Sequence, residues 1–331
     1  DDNDSDDNDS DDNDSDDDYD EEFEEEEVGD GEVAKILETL SLVTISNAGY
    51  TDYTINALTS LRVKCNLPCV LEVVCLDKEC LDTIQKSGEV KDCPQTVTTL
   101  AELDGSAEEQ GSSGGGGGVS NFSSYKQGQF NAIVRYKFVA IHARLHLKEF
   151  VLFADGDVVF LRRGFLRHLV RAGAAPVDVA AQCDLMGPVV PHQTCSTQIL
   201  RREEVGPVGA GAGTTALVSV DYLCSGFLLV RSSAKTLHLF DPEVVLNDPD
   251  YGAHLHDQEY FNFKIKPQVR YVALNQSLFP NGSPYGFHEH HDPIRFPPPK
   301  NPYIIHFNYF PGRTKRPKMK EMGLWFDEHS V

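Results

Sequence analysis

Two aspartates separated by one glycine are the residues of this chain best suited to chemistry. Asp155 and Asp157 follow an apolar run over residues 150–154, which holds two Phe and one Val. Such a run predicts a buried parallel strand, so both carboxylates lie at the carboxyl edge of a sheet, where α/β proteins bind ligands. Gly156 lets the backbone bend, and residues two apart in extended chain point the same way. Two hard oxygen donors on one side predict a site for a divalent cation that also carries phosphates.

A carboxylate pair has a second interpretation. An acidic strand-to-helix turn often caps a helix N-terminus, and Asp155 and Asp157 alone fit that role equally well. The choice therefore depends on the surrounding elements.

Those elements alternate between strand and helix. Short apolar runs predict strands at 42–45, 70–77, 150–154, 177–181, 222–231 and 303–308. Helical spacing predicts helices that start near 35, 232 and 257 or span 54–64, 81–86, 130–147 and 165–170. Strand, helix, strand is a βαβ unit, so the chain is predicted to be α/β with helices flanking the sheet.

The charge is concentrated at the start of the chain. The net charge is −23, but residues 1–32 hold 21 of the 52 acids and no Lys or Arg. The remainder has 31 acids and 29 bases. We therefore expect a disordered acidic tail over 1–32 and one folded domain over 35–328. A Gly/Ser-rich insertion at about 104–124 and a Gly/Pro-rich excursion at 187–213 are predicted within it, the second as an active-site flap.

Composition also limits which partners and which cellular compartment the protein can have. The folded part is nearly neutral, which excludes a nucleic-acid partner, because a protein that binds nucleic acid needs a basic face. The chain contains no run of eighteen apolar residues, so the sequence predicts no membrane span. Because the chain begins with Asp rather than Met, we expect membrane contact only through an anchor absent from this chain. Sequons at Asn121, Asn275 and Asn281 favour the Golgi lumen, with a cytoplasmic location as the alternative. The cysteine spacings match no zinc pattern.

Two earlier strand ends predict a nucleotide corner. The first strand ends in small polar residues that include Asn47 and Tyr50, and the second ends in Asp77. Small polar residues at the carboxyl ends of neighbouring strands are typical of nucleotide sites.

Four ordered blocks now carry a family resemblance. They are residues 153–161, 224–231, 257–262 with 278–282, and 306–309 continuing to 323–325. Together with the corner, they resemble the nucleotide-diphospho-sugar transferase family of GT-A fold, which includes plant cell-wall xylosyl- and arabinosyltransferases and algal and viral relatives. The similarity covers about residues 40–325. It implies a Rossmann-like mixed sheet in a single domain.

The resemblance implies transfer of a sugar from a nucleoside diphosphate, UDP by preference, to a hydroxyl of a glycan or glycoprotein, with retention. The implied metal is Mn²⁺ or Mg²⁺, with Asp157 as the first choice of ligand and Asp155 shared between the metal and the ribose. His306, at the end of the last strand, would complete the metal site, the alternative being a satisfied core histidine. Asn308 would orient this site.

The same resemblance assigns residues around the sugar and the diphosphate. Asp257 would hold a sugar hydroxyl and Gln258 would face the anomeric carbon, unless Asp257 only caps a helix. Gly226 would permit close backbone approach, and Lys137 would bind the donor. Many relatives carry Asn where Cys224 stands. A cation for the leaving diphosphate would come from the C-terminal bases, Lys315 or one of Arg316, Lys318 and Lys320.

Two other classes of function remain open at this point. A haloacid-dehalogenase-like phosphatase also places an Asp-x-Asp after a strand, although there the motif opens the domain. A non-catalytic glycan-binding relative would need a dead metal site, which intact Asp155 and Asp157 oppose.

Overall fold

The computed structural model describes residues 29–104, 133–174, 177–184, 222–251, 255–282, 299–310 and 312–326. The acidic tail up to residue 28, the Gly/Ser-rich insertion from 105 and the excursion at 187–213 lie outside the described residues, as do Asn121 and its sequon. Within the described ranges, no helix is both long and apolar enough to cross a membrane.

The first helix begins earlier than the sequence predicted. Helix α1 spans Asp30–Thr39, so residues 30–32 belong to it rather than to the tail. Acidic side chains in a first turn stabilise the helix dipole. Two of them also form ion pairs: Asp30 with Arg163, in the turn before α6, at 2.6 Å, and Glu32 with Arg167, in α6, at 2.5 Å.

The elements that follow α1 alternate as predicted. The strands are β1 Leu40–Ser46, β2 Leu71–Cys75, β3 Val97–Thr99, β4 Phe150–Ala154, β5 Val158–Phe160, β6 Val179–Cys183, β7 Leu223–Arg231, β8 Tyr271–Leu274 and β9 Ile304–His306. The helices are α2 Thr51–Cys65, α3 Lys78–Lys86, α4 Leu100–Asp104, α5 Tyr136–Leu145, α6 Phe165–Ala174, α7 Ala234–Leu239, α8 Pro242–Leu246, α9 Asp257–Tyr260 and α10 Gly312–Glu321. A π-helical turn, Phe261–Ile265, follows α9.

Seven strands form a mixed central sheet in the order β3-β2-β1-β4-β7-β6-β8. Strands β3, β2, β1 and β4 are parallel, and β7 runs antiparallel to both of its neighbours. This confirms the predicted Rossmann-like mixed sheet of GT-A type. The short strands β3 and β8 at its two edges, and helix α4, were missed by the sequence analysis, because three to five residues carry too little periodicity to predict an element.

The strand predicted before Asp155 is β4, and the apolar residues after Asp157 form a separate strand, β5, in a second sheet. The chain turns at residues 155–157, and β5 leaves the central sheet to pair antiparallel with β9. A Cβ at Gly156 would lie 2.7 Å from Thr54 Oγ1, so only glycine fits this turn. The predicted strand end before Asp155 and the bend at Gly156 are therefore confirmed, and the turn places the two aspartates beside the end of β9.

Helices cover both faces of the central sheet. One core packs α1, α2, α3 and α6 against the sheet through Ile36, Leu58, Ile84 and Leu166, which are among its buried members. The opposite core packs α5 and the helices after β7, around residues such as Phe138 and Phe240. Both faces of β4 are fully covered, which is why its five residues are all apolar.

Candidate active site

Three metal-ligating side chains meet at the carboxyl edge of the sheet. Strand pairing sets Val158 opposite His306, which brings the 155–157 turn against the end of β9. His306 Nε2 lies 3.3 Å from Asp157 Oδ1 and 3.6 Å from Asp155 Oδ2. One ligand atom from each residue falls within 4.8 Å of the others. The sequence-predicted metal residues are therefore brought together.

The tautomer of His306 is set by a buried glutamine. His306 Nδ1 lies 2.9 Å from Gln182 Oε1, and Gln182 Nε2 donates to the carbonyl oxygen of Phe279 at 2.9 Å. That second bond fixes the orientation of the Gln182 amide. Gln182 Oε1 therefore accepts from His306 Nδ1–H, and His306 Nε2 faces the two carboxylates. Gln182 is fully buried and follows a β-bulge in β6. Sequence reasoning missed it, although a lone amide at the end of an apolar strand was a signal.

The donor set fits a divalent cation. His306 Nε2 is buried, makes no hydrogen bond among the described residues and faces both carboxylates, so a cation bound there would take the place of a proton on this nitrogen. Two carboxylates and one imidazole suit Mn²⁺ or Mg²⁺, which bind a few protein groups and complete the sphere with water and phosphate oxygens. A Cβ at Gly226 would overlap His306 Cε1 and Asp155 Oδ2, and would lie 2.9 Å from His306 Nε2. Only glycine leaves this space open.

A lysine from the last helix reaches the same aspartate. Lys315 Nζ forms an ion pair with Asp157 Oδ2, and both residues are only 5% exposed. Burial alone would raise the pKa of the Asp157 carboxyl, but Lys315 and His306 hold that pKa well below its usual range. Arg316 pairs instead with exposed Asp52 at 3.0 Å. Of the candidate C-terminal bases, Lys315 is therefore the one that the structure sets in the site.

Asp257 belongs to a second buried charge cluster. Its Oδ2 accepts from Lys137 Nζ at 2.6 Å and from Ser225 Oγ at 2.7 Å, while Lys137 Nζ also lies 3.3 Å from Asp155 Oδ1. The helix N-cap is His256, so the alternative that Asp257 merely caps α9 was wrong. Burial opposes both charges, yet the pKa of Lys137 is raised by Asp155 and Asp257, and that of Asp257 is lowered mainly by Lys137. Lys137 therefore links the metal site to Asp257.

Gln258 is oriented by a carboxylate that sequence reasoning missed. Its Nε2 donates to Asp184 Oδ2 at 2.6 Å. Asp184, 2% exposed, also accepts from Asn281 Nδ2 at 2.9 Å and from the Tyr309 hydroxyl at 2.7 Å. A carboxylate only accepts, so the Gln258 amide nitrogen faces Asp184 and its carbonyl oxygen is directed elsewhere. No local pattern marks Asp184, because its partners lie 74 to 125 residues away in the chain.

The predicted nucleotide corner forms at the ends of β1 and β2. Asn47 is buried and Tyr50 is partly buried after β1. Asp77 accepts from the backbone N–H of Ala48 at 2.9 Å and caps α3 through Cys80 N–H at 2.7 Å. Both of its oxygens therefore hold the corner in shape. Burial, reinforced by Asp157, raises the pKa of the Tyr50 hydroxyl, which stays protonated and able to donate.

Cys224 and Asn308 complete the wall behind His306. Cys224 Sγ lies 3.6 Å from His306 Nδ1 and accepts from Asn308 Nδ2 at 3.7 Å. Asn308 Oδ1 in turn accepts from the backbone N–H of Gly282 at 3.2 Å. The thiol is buried, which raises its pKa. Cys224 therefore packs behind the imidazole as a neutral group.

Comparison with known proteins agrees with this geometry. Residues 71–322 match the sequence profile of nucleotide-diphospho-sugar transferases, so the chain belongs to that family. It is accordingly a glycosyltransferase, and the phosphatase alternative is set aside. No curated protein matches the chain.

Several solved glycosyltransferases are similar to the chain in structure. The galactosyltransferase LgtC, in complex with donor and acceptor sugar analogues, is 15% identical with a TM-score of 0.45, over 87% of this chain and 98% of that one. Mouse xyloside xylosyltransferase 1 in its apo form is 12% identical with a TM-score of 0.43, over 81% and 98%. A glycosyltransferase involved in glycosylation of the major capsid of PBCV-1 is 9% identical with a TM-score of 0.43, over 86% and 99%.

Proposed function

We propose that this glycosyltransferase moves a sugar from a UDP-sugar to a hydroxyl of a glycan or glycoprotein, with a divalent cation, Mn²⁺ or Mg²⁺, and with retention at the anomeric carbon. The observation that carries the proposal is the meeting of Asp155, Asp157 and His306 at the carboxyl edge of the sheet with Lys315 beside them. A metal-carboxylate centre with an adjacent lysine suits a diphosphate that leaves with growing negative charge.

The side chains divide this work between them. Asp157, Asp155 and His306 would hold the cation, which when bound supplies Lewis-acid stabilisation of the leaving diphosphate. Lys315 can exchange its contact with Asp157 for a phosphate oxygen, because its ammonium group is a mobile point charge on a flexible stem. Asn47 and Tyr50 line the neighbouring strand end, where the nucleoside would lie.

The second cluster would serve the transferred sugar. Asp257, with its charge balanced by Lys137, can accept a hydrogen bond from a sugar hydroxyl. Gln258 has its amide nitrogen engaged by Asp184, so its carbonyl oxygen can face the positive charge that develops at the anomeric carbon. In a front-face displacement, the acceptor oxygen bonds to that carbon as the carbon–phosphate oxygen bond breaks. The acceptor proton passes to the leaving phosphate, and the protein positions both groups.

Nucleotide binding that depends on the metal tests the proposed function directly. We expect UDP at 100 times its Kd to stabilise the protein by about 2.7 kcal/mol in the presence of Mn²⁺, and by much less in EDTA. Melting curves with UDP, ADP and inorganic phosphate, each with and without Mn²⁺, measure this. Stabilisation by phosphate alone, or by UDP equally in EDTA, would contradict the proposal. A screen of UDP-sugars for release of UDP would then identify the donor.

Gln182 is a positioning residue for the proposed metal site, and its replacement gives a prediction of its own. Gln182→Met removes the acceptor for Nδ1–H but keeps the side-chain length, so Mn²⁺ affinity should fall by about 10- to 100-fold. Gln182→Glu retains an acceptor and should bind Mn²⁺ at least as well as Gln182→Met. Free Mn²⁺ measured by electron paramagnetic resonance, with no donor present, gives both values. If Gln182→Met lowers only the melting temperature, Gln182 contributes packing alone.

We also propose a lumenal location, which the disulfides support. Cys69 and Cys93 are bonded to each other, and Cys183 is disulfide-bonded as well, whereas Cys65, Cys75, Cys80 and Cys224 are free. Disulfides persist in oxidising compartments. We therefore expect at most four of the eight thiols to react in unfolded, unreduced protein from its native host. Eight reactive thiols on a chain without glycans would favour the cytoplasmic alternative.

A further inference from the structure

A pair of histidines lies on the far end of the helix that carries Lys137. His142 is in the last turn of α5, and His146 follows one turn later as its C-cap. His142 is partly exposed and His146 is exposed. Neither residue contributes to the site at the carboxyl edge of the sheet, which leaves their close approach without a role in sugar transfer.

The two ring nitrogens lie close enough together to share one metal ion. His142 Nε2 and His146 Nε2 lie 3.3 Å apart, with the ring centroids separated by 4.7 Å and the planes nearly perpendicular at 85°. Two bonds of about 2.1 Å from a metal to nitrogens 3.3 Å apart subtend about 100°, which lies between the octahedral and tetrahedral angles. Histidines at i and i+4 on a helix are a common source of two such ligands.

The surroundings of His142 favour its neutral form, which is the form that binds a metal ion. Burial lowers the pKa of His142, the charge of Asp241 opposes that effect, and His146 lowers it further. His142 is therefore neutral at neutral pH, as a metal ligand must be. Asp241 caps α8 through its Oδ1, which accepts from Glu243 N–H at 2.8 Å, and it adds negative charge near the pair.

We propose that His142 and His146 form a second metal site, a bis-imidazole clamp for a borderline transition cation such as Zn²⁺, Ni²⁺ or Cu²⁺. Two nitrogen ligands select these ions over Mn²⁺ and Mg²⁺, which favour the carboxylate-rich site. Water fills the remaining coordination positions.

Binding of a cation to the two histidines moves one proton but releases none. In the metal-free pair, one imidazole donates its Nε2–H to Nε2 of the other. When the cation binds, that proton moves to Nδ1 of the same ring, and both Nε2 lone pairs coordinate. One hydrogen bond is replaced by two metal–nitrogen bonds, with no net proton release. Binding joins the last turn of α5 across four residues and therefore stabilises the helix just before β4.

Calorimetric titration of the full chain with NiCl₂ tests the clamp. We expect His142→Ala and His146→Ala each to bind one equivalent of Ni²⁺ fewer than the unsubstituted protein, or to bind that equivalent at least 10-fold more weakly. His238→Ala is the matched control, because His238 is an exposed histidine on neighbouring helix α7, and it should bind Ni²⁺ normally. Each variant should melt within a few degrees of the parent in EDTA, since an exposed or partly exposed histidine contributes little to the core.

The outcome separates this clamp from the proposed active site. Mn²⁺-dependent stabilisation by UDP should be unchanged in both variants, because neither residue lies in that site. If His142→Ala and His146→Ala bind Ni²⁺ with the same stoichiometry and affinity as the His238→Ala control, the two histidines form only a hydrogen bond and the proposal fails. If the unsubstituted protein does not bind UDP, that result counts against the proposed sugar transfer. It does not affect the proposed metal site at His142 and His146.

Discussion

Asp157→Asn is expected to lower turnover by about 100-fold or more, the loss typical when a group that stabilises developing charge is removed. The amide keeps the shape of the side chain but lacks the charge that would hold Mn²⁺ with His306. Mn²⁺ titrations of UDP-sugar hydrolysis should therefore show a much weaker apparent affinity for the metal. Asp155→Asn should act in the same direction, and more mildly if Asp155 is shared with the ribose.

Stability must be measured beside activity, because Asp157 is paired with buried Lys315. Removing one partner of a buried ion pair leaves the other charge uncompensated. A double variant, Asp157→Asn with Lys315→Met, removes both charges and should recover stability without recovering activity. Asp52→Asn is the matched control, because Asp52 is an exposed aspartate paired with Arg316, and it should retain activity. Near-normal turnover in Asp157→Asn would overturn the assignment of Asp157 as a metal ligand.

The second large effect is expected from Gly226→Ala, which adds a single methyl group. That methyl would overlap the His306 ring and the Asp155 carboxylate, so both proposed metal ligands must move. Displacements of about 1 Å at a reacting centre cost about 100-fold in rate. We expect Mn²⁺ affinity and turnover to fall together, by about that factor for turnover. Mn²⁺ binding without donor and initial rates of UDP release give the two values.

Gly88→Ala provides the control for this substitution, because a Cβ at Gly88 would meet no atom within 4 Å. Its activity and Mn²⁺ affinity should equal those of the parent protein. If Gly226→Ala unfolds the protein, circular dichroism will reveal it. A folded Gly226→Ala variant with unchanged Mn²⁺ affinity would show that no cation is held between Asp155 and His306.

Much of the architecture follows from local sequence pattern. The apolar run before Asp155, the alternation of strand and helix, and the polar strand ends at Asn47 and Asp77 were all readable, because burial on a sheet or helix imposes a period on the chain. Parallel strands end at one edge, so the residues that follow them were expected to meet there. His306 was assigned to that edge on this basis together with the family resemblance.

What the sequence could not determine depends on register and on contacts between distant segments. The pairing of β5 with β9 and the choice of Lys315 among several bases both require the folded chain. Gln182 and Asp184 orient His306 and Gln258 from one strand end, across separations of 124 and 74 residues. Local periodicity determines which face of an element is buried, because that depends on nearest neighbours along the chain. Which buried polar groups become partners is decided only by tertiary packing, because a hydrogen bond requires two distant atoms to meet within about 3 Å.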